Sequence, residues 1–285
     1  MSIDMSIDMV RTSSADILMA RSWFLVPAVD SETITAAAQS GTDCLVVDLE
    51  DGLPSAAKDD GRACVAGWLD SQRGWVRLND ATTDHWQRDL ESIQGSKGLQ
   101  GVMLSKTDSP EQVRATAAAL PGVPVVALIE SAAAVVAADE IARTAPVVRL
   151  AFGIGDYCRD IGAGRSPMAL AYARSRLVNA SRAAGIGAPV DGPTLVLDAE
   201  VTRSDARLAL DMGMTGKLTL SSEQVPVINS ALAPDADEVV WAETIIDRLG
   251  ADGSRATHGG HRPQLARAHD ILRRSAHFTG RRVLR

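Results

Sequence analysis

Residues 123–157 read VPVVALIESAAAVVAADEIARTAPVVRLAFGIGDY. Two apolar runs, 123–129 and 147–152, flank an Ala-rich stretch with the composition of a helix. The first run leads directly into Glu130, and the second reaches Asp156 after Gly153-Ile154-Gly155, which reads as a turn. Two such strands joined by a crossover helix run parallel, so both acids come to the same end of one sheet. Parallel α/β folds build their sites at that end. Two carboxylates among oxygen donors suit a hard cation such as Mg²⁺, which takes one or two protein carboxylates and fills its other positions with water and substrate. The plainer alternative is that Glu130 caps the next helix and Asp156 sits in a solvated turn.

The same rhythm extends in both directions. Strand-like runs occur at 23–27, 43–49, 74–78, 101–104, 188–190 and 216–220. Helical stretches fall between them at 31–39, 55–69, 83–93, 109–120, 166–184 and 198–212. The strands are continuously apolar rather than alternating, the mark of a parallel sheet covered on both faces. Eight strand–helix units favour a closed (β/α)8 TIM barrel over an open sheet. Helices at 223–231 and 235–249, a Gly-rich link at 250–260 and a basic helix at 264–276 form a C-terminal helical extension. The expected division is a mobile leader over 1–20, the barrel over 21–232, and a lid or oligomerisation segment over 233–285.

Composition narrows the function classes. A hydrophobic content of 46% with only 4% aromatics implies a large aliphatic core. The net charge of −7 argues against nucleic acid or an anionic membrane as a general partner. No run approaches a membrane span, and the repeated MSID start lacks the form of a signal peptide. Three cysteines without a CxxC pair suggest a reducing, cytoplasmic setting. No GxGxxG, GK[ST] or GxSxG motif is present, and His85, His258, His261 and His269 do not stand at zinc spacing.

The strand ends collect the candidate residues: Asp48, Glu50 and Asp51; Arg77 and Asn79; Lys106; Glu130; Asp156; Asp191; and Lys217 within the last strand. A cation held by the acids and a guanidinium facing it could together stabilise an enolate or a 2-oxo acid. Arg suits that task because its fork binds a carboxylate through two hydrogen bonds. The alternatives are ordinary ones: Asp51-Gly52 as a turn, Arg77 as an ion-pair partner of Glu50, Lys106 and Lys217 as rim charges, and Lys58 with Arg62 as a solvated helix face.

Several stretches, taken in order, resemble the citrate lyase β-subunit-like proteins of the HpcH/HpaI aldolase superfamily. They include RSWFLVPA from Arg21, VVDLEDGLPSAAKDDGR over 46–62, VRLN over 76–79 and GVMLSKTDSPEQV over 101–113. LIESAAAV over 128–135, LAFGIGDYCRDIGA over 150–163, YARSRLVNASRAAGI over 172–186 and GKLTLSSEQVPVIN over 216–229 complete the set. The resemblance implies a Mg²⁺-binding barrel, trimeric or hexameric, that cleaves or forms a C–C bond in an acyl thioester of coenzyme A or acyl carrier protein, with a small 2-oxo or hydroxy acid as the other partner. By motif, Glu130 and Asp156 ligate the metal and Arg77 binds the substrate. Asp48 and Glu50 line the floor with catalytic roles, and Arg21 touches the acyl or cofactor portion. Two places depart from the pattern. Leu220-Ser221-Ser222 replaces Ile-His-Pro, and residues 258–263 lack the tail Asp, for which His261 is the candidate replacement. A CoA-independent 2-oxo acid aldolase and a non-catalytic subunit that binds metal and thioester are the alternatives.

Overall fold

Eight parallel strands close into a barrel in strict sequence order. They are β1 (Ser22–Pro27), β2 (Cys44–Asp48), β3 (Gly74–Leu78), β4 (Leu99–Leu104), β5 (Val125–Ile129), β6 (Val147–Phe152), β7 (Val190–Asp191) and β8 (Gly216–Thr219). The computed structural model describes residues 14–283, and the chain divides into two compact units, Met1–Asn229 and Ser230–Arg285. The first unit holds the barrel and the helices α1 (Ser14–Met19), α2 (Ser31–Ala38), α3 (Lys58–Leu69), α4 (Asp84–Ile93) and α5 (Pro110–Ala119). It continues through α6 (Ala132–Ala142), α7 (Ile154–Ile161), α8 (Pro167–Ala184) and α9 (Ala199–Asp211) to α10 (Val225–Ala231), which crosses into the second unit. The fold is a (β/α)8 TIM barrel with C-terminal helices.

Strand alternation sorts side chains into two cores. Trp23, Leu25, Cys44, Val46, Trp75, Met103, Val126, Leu128, Ala151, Val190 and Leu218 point inward and fill the barrel. Their neighbours, among them Val47, Leu78 and Leu104 on one side and Ala127, Ile129 and Phe152 on the other, pack outward against the helices. Full burial of each large apolar side chain contributes about 1.5–3 kcal/mol. The same parity decides the site. Two residues beyond the inward Val46, Trp75 and Leu128 stand Asp48, Arg77 and Glu130, so all three face the barrel axis at its C-terminal end.

The N-terminal end of the barrel is closed by polar groups. Arg149, fully buried on β6, donates to the carbonyls of Ile17 (3.2 Å), Ala20 (2.8 Å) and Ala188 (2.7 Å). Its guanidinium lies 5.5 Å from the Trp23 ring centre, and burial pushes its pKa down to about 9. The end of the expected 1–20 leader therefore belongs to the folded unit. Helix α1 and Ala20 are held by these bonds, and Ile17 belongs to the barrel interior; the rest of that stretch, residues 1–13, lies outside the described residues. A second helix absent from the sequence reading is α7: Gly153 and Asp156 belong to its N-cap and first turn, not to an open turn.

The second unit carries α11 (Ala236–Leu249) and α12 (His261–Val283). A capping box between Asp235 and Glu238 starts α11. Ala242, Ile245, Leu249, Leu265, Ala268 and Ile271 form the unit's own core, with Arg267 stacked 5.1 Å over Trp241. Helix α12 is longer than the expected 264–276. No helix among the described residues is long and apolar enough to cross a membrane.

Candidate active site

Asp48 closes β2, and its carboxylate organises the loop that follows. It accepts the amides of Glu50 (2.8 Å) and Gly52 (2.9 Å). The loop comes so close that a Cβ on Gly52 would stand 2.5 Å from Asp48 Oδ2, which explains the glycine. From β3, Arg77 forks onto Asp48 through Nε (2.7 Å) and Nη2 (2.6 Å), while Nη1 reaches Glu50 Oε2 (2.9 Å). Burial works against the charged guanidinium, but the charges and hydrogen bonds of Asp48 and then Glu50 hold its pKa above the usual value. Three of its five N–H groups are committed among the described residues, and two remain for a ligand.

Glu130 stands beside this pair at the end of β5, only 7% exposed. Its Oε1 accepts the Lys106 amide at 2.6 Å. Among the described residues it has no ion-pair partner. Burial raises its pKa to about 8, opposed by the Lys106 amide and by Arg77 and reinforced by the charges of Glu50 and Asp156. Register fixes the other acid. Ile129 pairs with Phe152, and the Gly153 amide donates to the Ile129 carbonyl at 2.9 Å, so α7 starts level with Glu130. A Cβ on Gly153 would lie 2.4 Å from Glu130 Oε2. Asp156, one turn further on and 21% exposed at its side chain, forms a 3.2 Å ion pair with Arg159. Glu130 is thus a buried carboxylate short of positive charge, with a second acid near enough to raise its pKa. That donor set fits a hard divalent cation, which would offset the desolvation and repulsion at once. No group of three or more His, Cys, Asp or Glu that could hold a metal ion assembles among the described residues.

Behind the rim, a buried polar network sets the β2 and β3 loops. Lys58 Nζ donates to the carbonyls of Leu49 (2.8 Å) and Glu50 (2.9 Å) and to Asn79 Oδ1 (2.7 Å). Asn79 and Arg62 meet on Asp89 at 2.7 and 2.8 Å. The expected solvated face of Lys58 and Arg62 is therefore wrong: both point inward, because loop carbonyls and Asp89 would otherwise be buried without donors. Burial lowers the Lys58 pKa against the pull of Glu50, Asp89 and Asp48.

Other strand-end candidates do not join the site. Asp191 and Lys217 adjoin the inward Val190 and Leu218, so they face outward. There Asp191 takes Arg174 of α8 through two bonds of 2.9 and 3.0 Å, and Lys217 donates to the Gly192 carbonyl at 2.7 Å. Arg21 requires a correction too. It precedes β1, and its guanidinium grips Asp43, which precedes β2, at 2.8 Å. Both stand at the N-terminal end, about 20 Å along the strands from the acid-bearing rim at roughly 3.3 Å per residue. Arg21 therefore lies at the opposite end of the barrel from Arg77, engaged with Asp43. At the β8 departure, Leu220 is exposed and the Ser221 hydroxyl accepts the Glu223 amide. In the second unit the rings of His258 and His261 lie 3.6 Å apart, and His261 Nδ1 accepts the Thr257 amide.

The HpcH/HpaI aldolase/citrate lyase family model matches residues 21–222, and the HpcH/HpaI aldolase C-terminal domain matches residues 237–279. This chain belongs to the HpcH/HpaI aldolase/citrate lyase family. A citrate lyase subunit beta-like protein of Mycobacterium tuberculosis is 30% identical over 269 residues, covering 90% of this chain and 96% of its own. Mouse mitochondrial citramalyl-CoA lyase is 26% identical over 254 residues, covering 79% and 75%. Among solved structures, M. tuberculosis CitE in complex with magnesium, acetoacetate and coenzyme A superposes with a TM-score of 0.77 at 28% identity, over 91% of this chain and 99% of that one.

Proposed function

We propose that this chain is a Mg²⁺-dependent carbon–carbon lyase acting on a small acyl thioester of coenzyme A, with Glu130 and Asp156 as the metal's carboxylates. The observation that carries this reading is the pairing of a charge-starved buried Glu130 with Asp156 at one rim, beside an Arg77 already clamped by two acids. A relative that cleaves citramalyl-CoA and a neighbour solved with magnesium, acetoacetate and coenzyme A support it. Bound Mg²⁺ supplies Lewis-acid stabilisation to an oxygen on which negative charge develops. Arg77 directs its two uncommitted N–H groups at the substrate carboxylate or carbonyl oxygen. Asp48 and Glu50 fix the plane of that guanidinium in advance, so little reorganisation accompanies reaction. The released or consumed fragment is a 2-oxo acid or an acetyl-type enolate, and the working assembly is a trimer or hexamer.

The test is turnover of a β-hydroxyacyl-CoA panel with Mg²⁺, repeated with EDTA and with Arg77→Ala. Cleavage that stops under both treatments is expected; turnover indifferent to both would end the proposal. A second reading, a CoA-independent 2-oxo acid aldolase, is supported by a solved neighbour, M. tuberculosis CitE in complex with magnesium and pyruvate. It expects thermal stabilisation by pyruvate with Mg²⁺ and none by coenzyme A.

A further inference from the structure

Lys106 has the only backbone of its kind among the described residues: φ is +46° in a residue other than glycine. That conformation is strained for a lysine and persists only where its surroundings enforce it. The enforcement is visible. The Thr107 amide donates to the Leu128 carbonyl at 3.1 Å, the Thr107 hydroxyl to the Leu104 carbonyl at 2.8 Å, and Gln112 Nε2 to the Lys106 carbonyl at 3.3 Å. Gln112 is itself locked in the capping box of α5. What the left-handed turn achieves is direction. The Lys106 amide aims at Glu130 Oε1 (2.6 Å), and the side chain places its Nζ on a different acid, Glu50 Oε1 (3.0 Å). Glu50 Oε2 in turn holds Arg77. The Lys106 side chain is 36% exposed.

We infer that Lys106 is a positioning residue with two separable arms. Its main-chain arm sets Glu130 for the cation. Its ammonium arm shares Glu50 with Arg77, so that Arg77 keeps positive charge for an anionic 2-oxo acid. The second arm rests on the lyase reading above; the first rests only on cation binding by Glu130. Without the Lys106 ammonium, Glu50 loses one of its two ion-pair partners and bears on Arg77 undivided.

The arms come apart in a substitution series measured by calorimetry with Mg²⁺, then with oxaloacetate on the Mg²⁺-loaded protein. Lys106→Gly keeps the amide and accepts positive φ without strain. Its Mg²⁺ affinity is expected to stay within about twofold of the parent, while its oxaloacetate affinity falls about tenfold. Lys106→Val resists positive φ, so its Mg²⁺ affinity falls about tenfold or more, as for other residues that orient a metal ligand. Lys106→Ala lies between them and serves if the Val variant does not fold, as judged by circular dichroism. Lys106→Arg restores oxaloacetate binding relative to Lys106→Met. Equal Mg²⁺ affinity in the Gly, Ala and Val variants overturns the main-chain arm. Parent-like oxaloacetate affinity in Lys106→Gly overturns the ammonium arm. A parent protein that binds Mg²⁺ but no 2-oxo acid removes the lyase reading and the ammonium arm together, and the Gly–Val comparison still decides the other.

Discussion

At the scale of single residues, the site trades stability for charge. Glu130 is a buried carboxyl group with one hydrogen bond among the described residues, and burial and two neighbouring acids push its pKa up. At neutral pH, folding without a cation must therefore either desolvate its charge or protonate it. Glu130→Gln removes that cost and keeps the shape, so the metal-free protein at neutral pH is expected to become more stable by about 1–2 kcal/mol, or about 2–8 °C in Tm. The stabilisation by Mg²⁺ should vanish in the same variant; a thermal melt with and without Mg²⁺ checks both signs. Arg77 poses the opposite case. Lysine keeps the charge but cannot fork onto Asp48 while reaching Glu50. Arg77→Lys is expected to cost about 3 kcal/mol in urea unfolding by leaving a buried acid unpaired. It should also lower kcat/KM by roughly 10²–10³-fold, the loss typical of a misplaced charge-stabilising donor. A variant with parent-like stability would show that the three-contact clamp has little energetic weight.

At the scale of elements, most of the barrel was legible because its strands are continuous apolar runs; β3 and β6 begin and end where the sequence placed them. The positions of Glu130 at the end of β5 and of Asp156 just beyond β6 were legible for the same reason. What escaped had physical causes. Helix α7 opens with Gly-Ile-Gly-Asp, which reads as a turn, and tertiary packing of Ile154 and Tyr157 overrides that preference. Lys58 looked like surface because its partners are backbone carbonyls of a distant loop, which no local pattern announces. Asp191 and Lys217 could have been excluded by counting alternate positions from Val190 and Leu218, and Arg21 by noticing that it precedes its strand. The left-handed turn at Lys106 carries no signal at all, since nothing about lysine requests it. Helix α1 escaped as well, and its anchor makes a test. Arg149→Met keeps the length of the side chain but leaves the Ile17, Ala20 and Ala188 carbonyls without this donor. A loss of about 3 kcal/mol or more is expected in urea unfolding, with faster proteolysis near residues 14–19. If the loss appears without new cleavage there, Arg149 stabilises the barrel floor but does not hold α1.

At the scale of the whole molecule, the candidate cation ligands, their supporting network and the barrel core all belong to the first unit, while the second has a core of its own. Cation binding and thioester chemistry can therefore be separated by cutting the chain. Protein ending at Ala233 retains every residue through α10. If Glu130 and Asp156 are the protein's ligands, this shortened chain should bind Mg²⁺ as the full chain does. At a hundredfold excess over Kd, bound cation adds about 2.7 kcal/mol to a folded protein, which corresponds to about 5–10 °C in Tm. EDTA should abolish that gain equally in both chains. Turnover of acyl-CoA should be lost only in the shortened one, because the family's C-terminal domain is matched at 237–279 and would be gone. A shortened chain that folds, by circular dichroism, but no longer responds to Mg²⁺ would mean that the cation depends on residues beyond 233. The two-carboxylate site would then be incomplete as drawn.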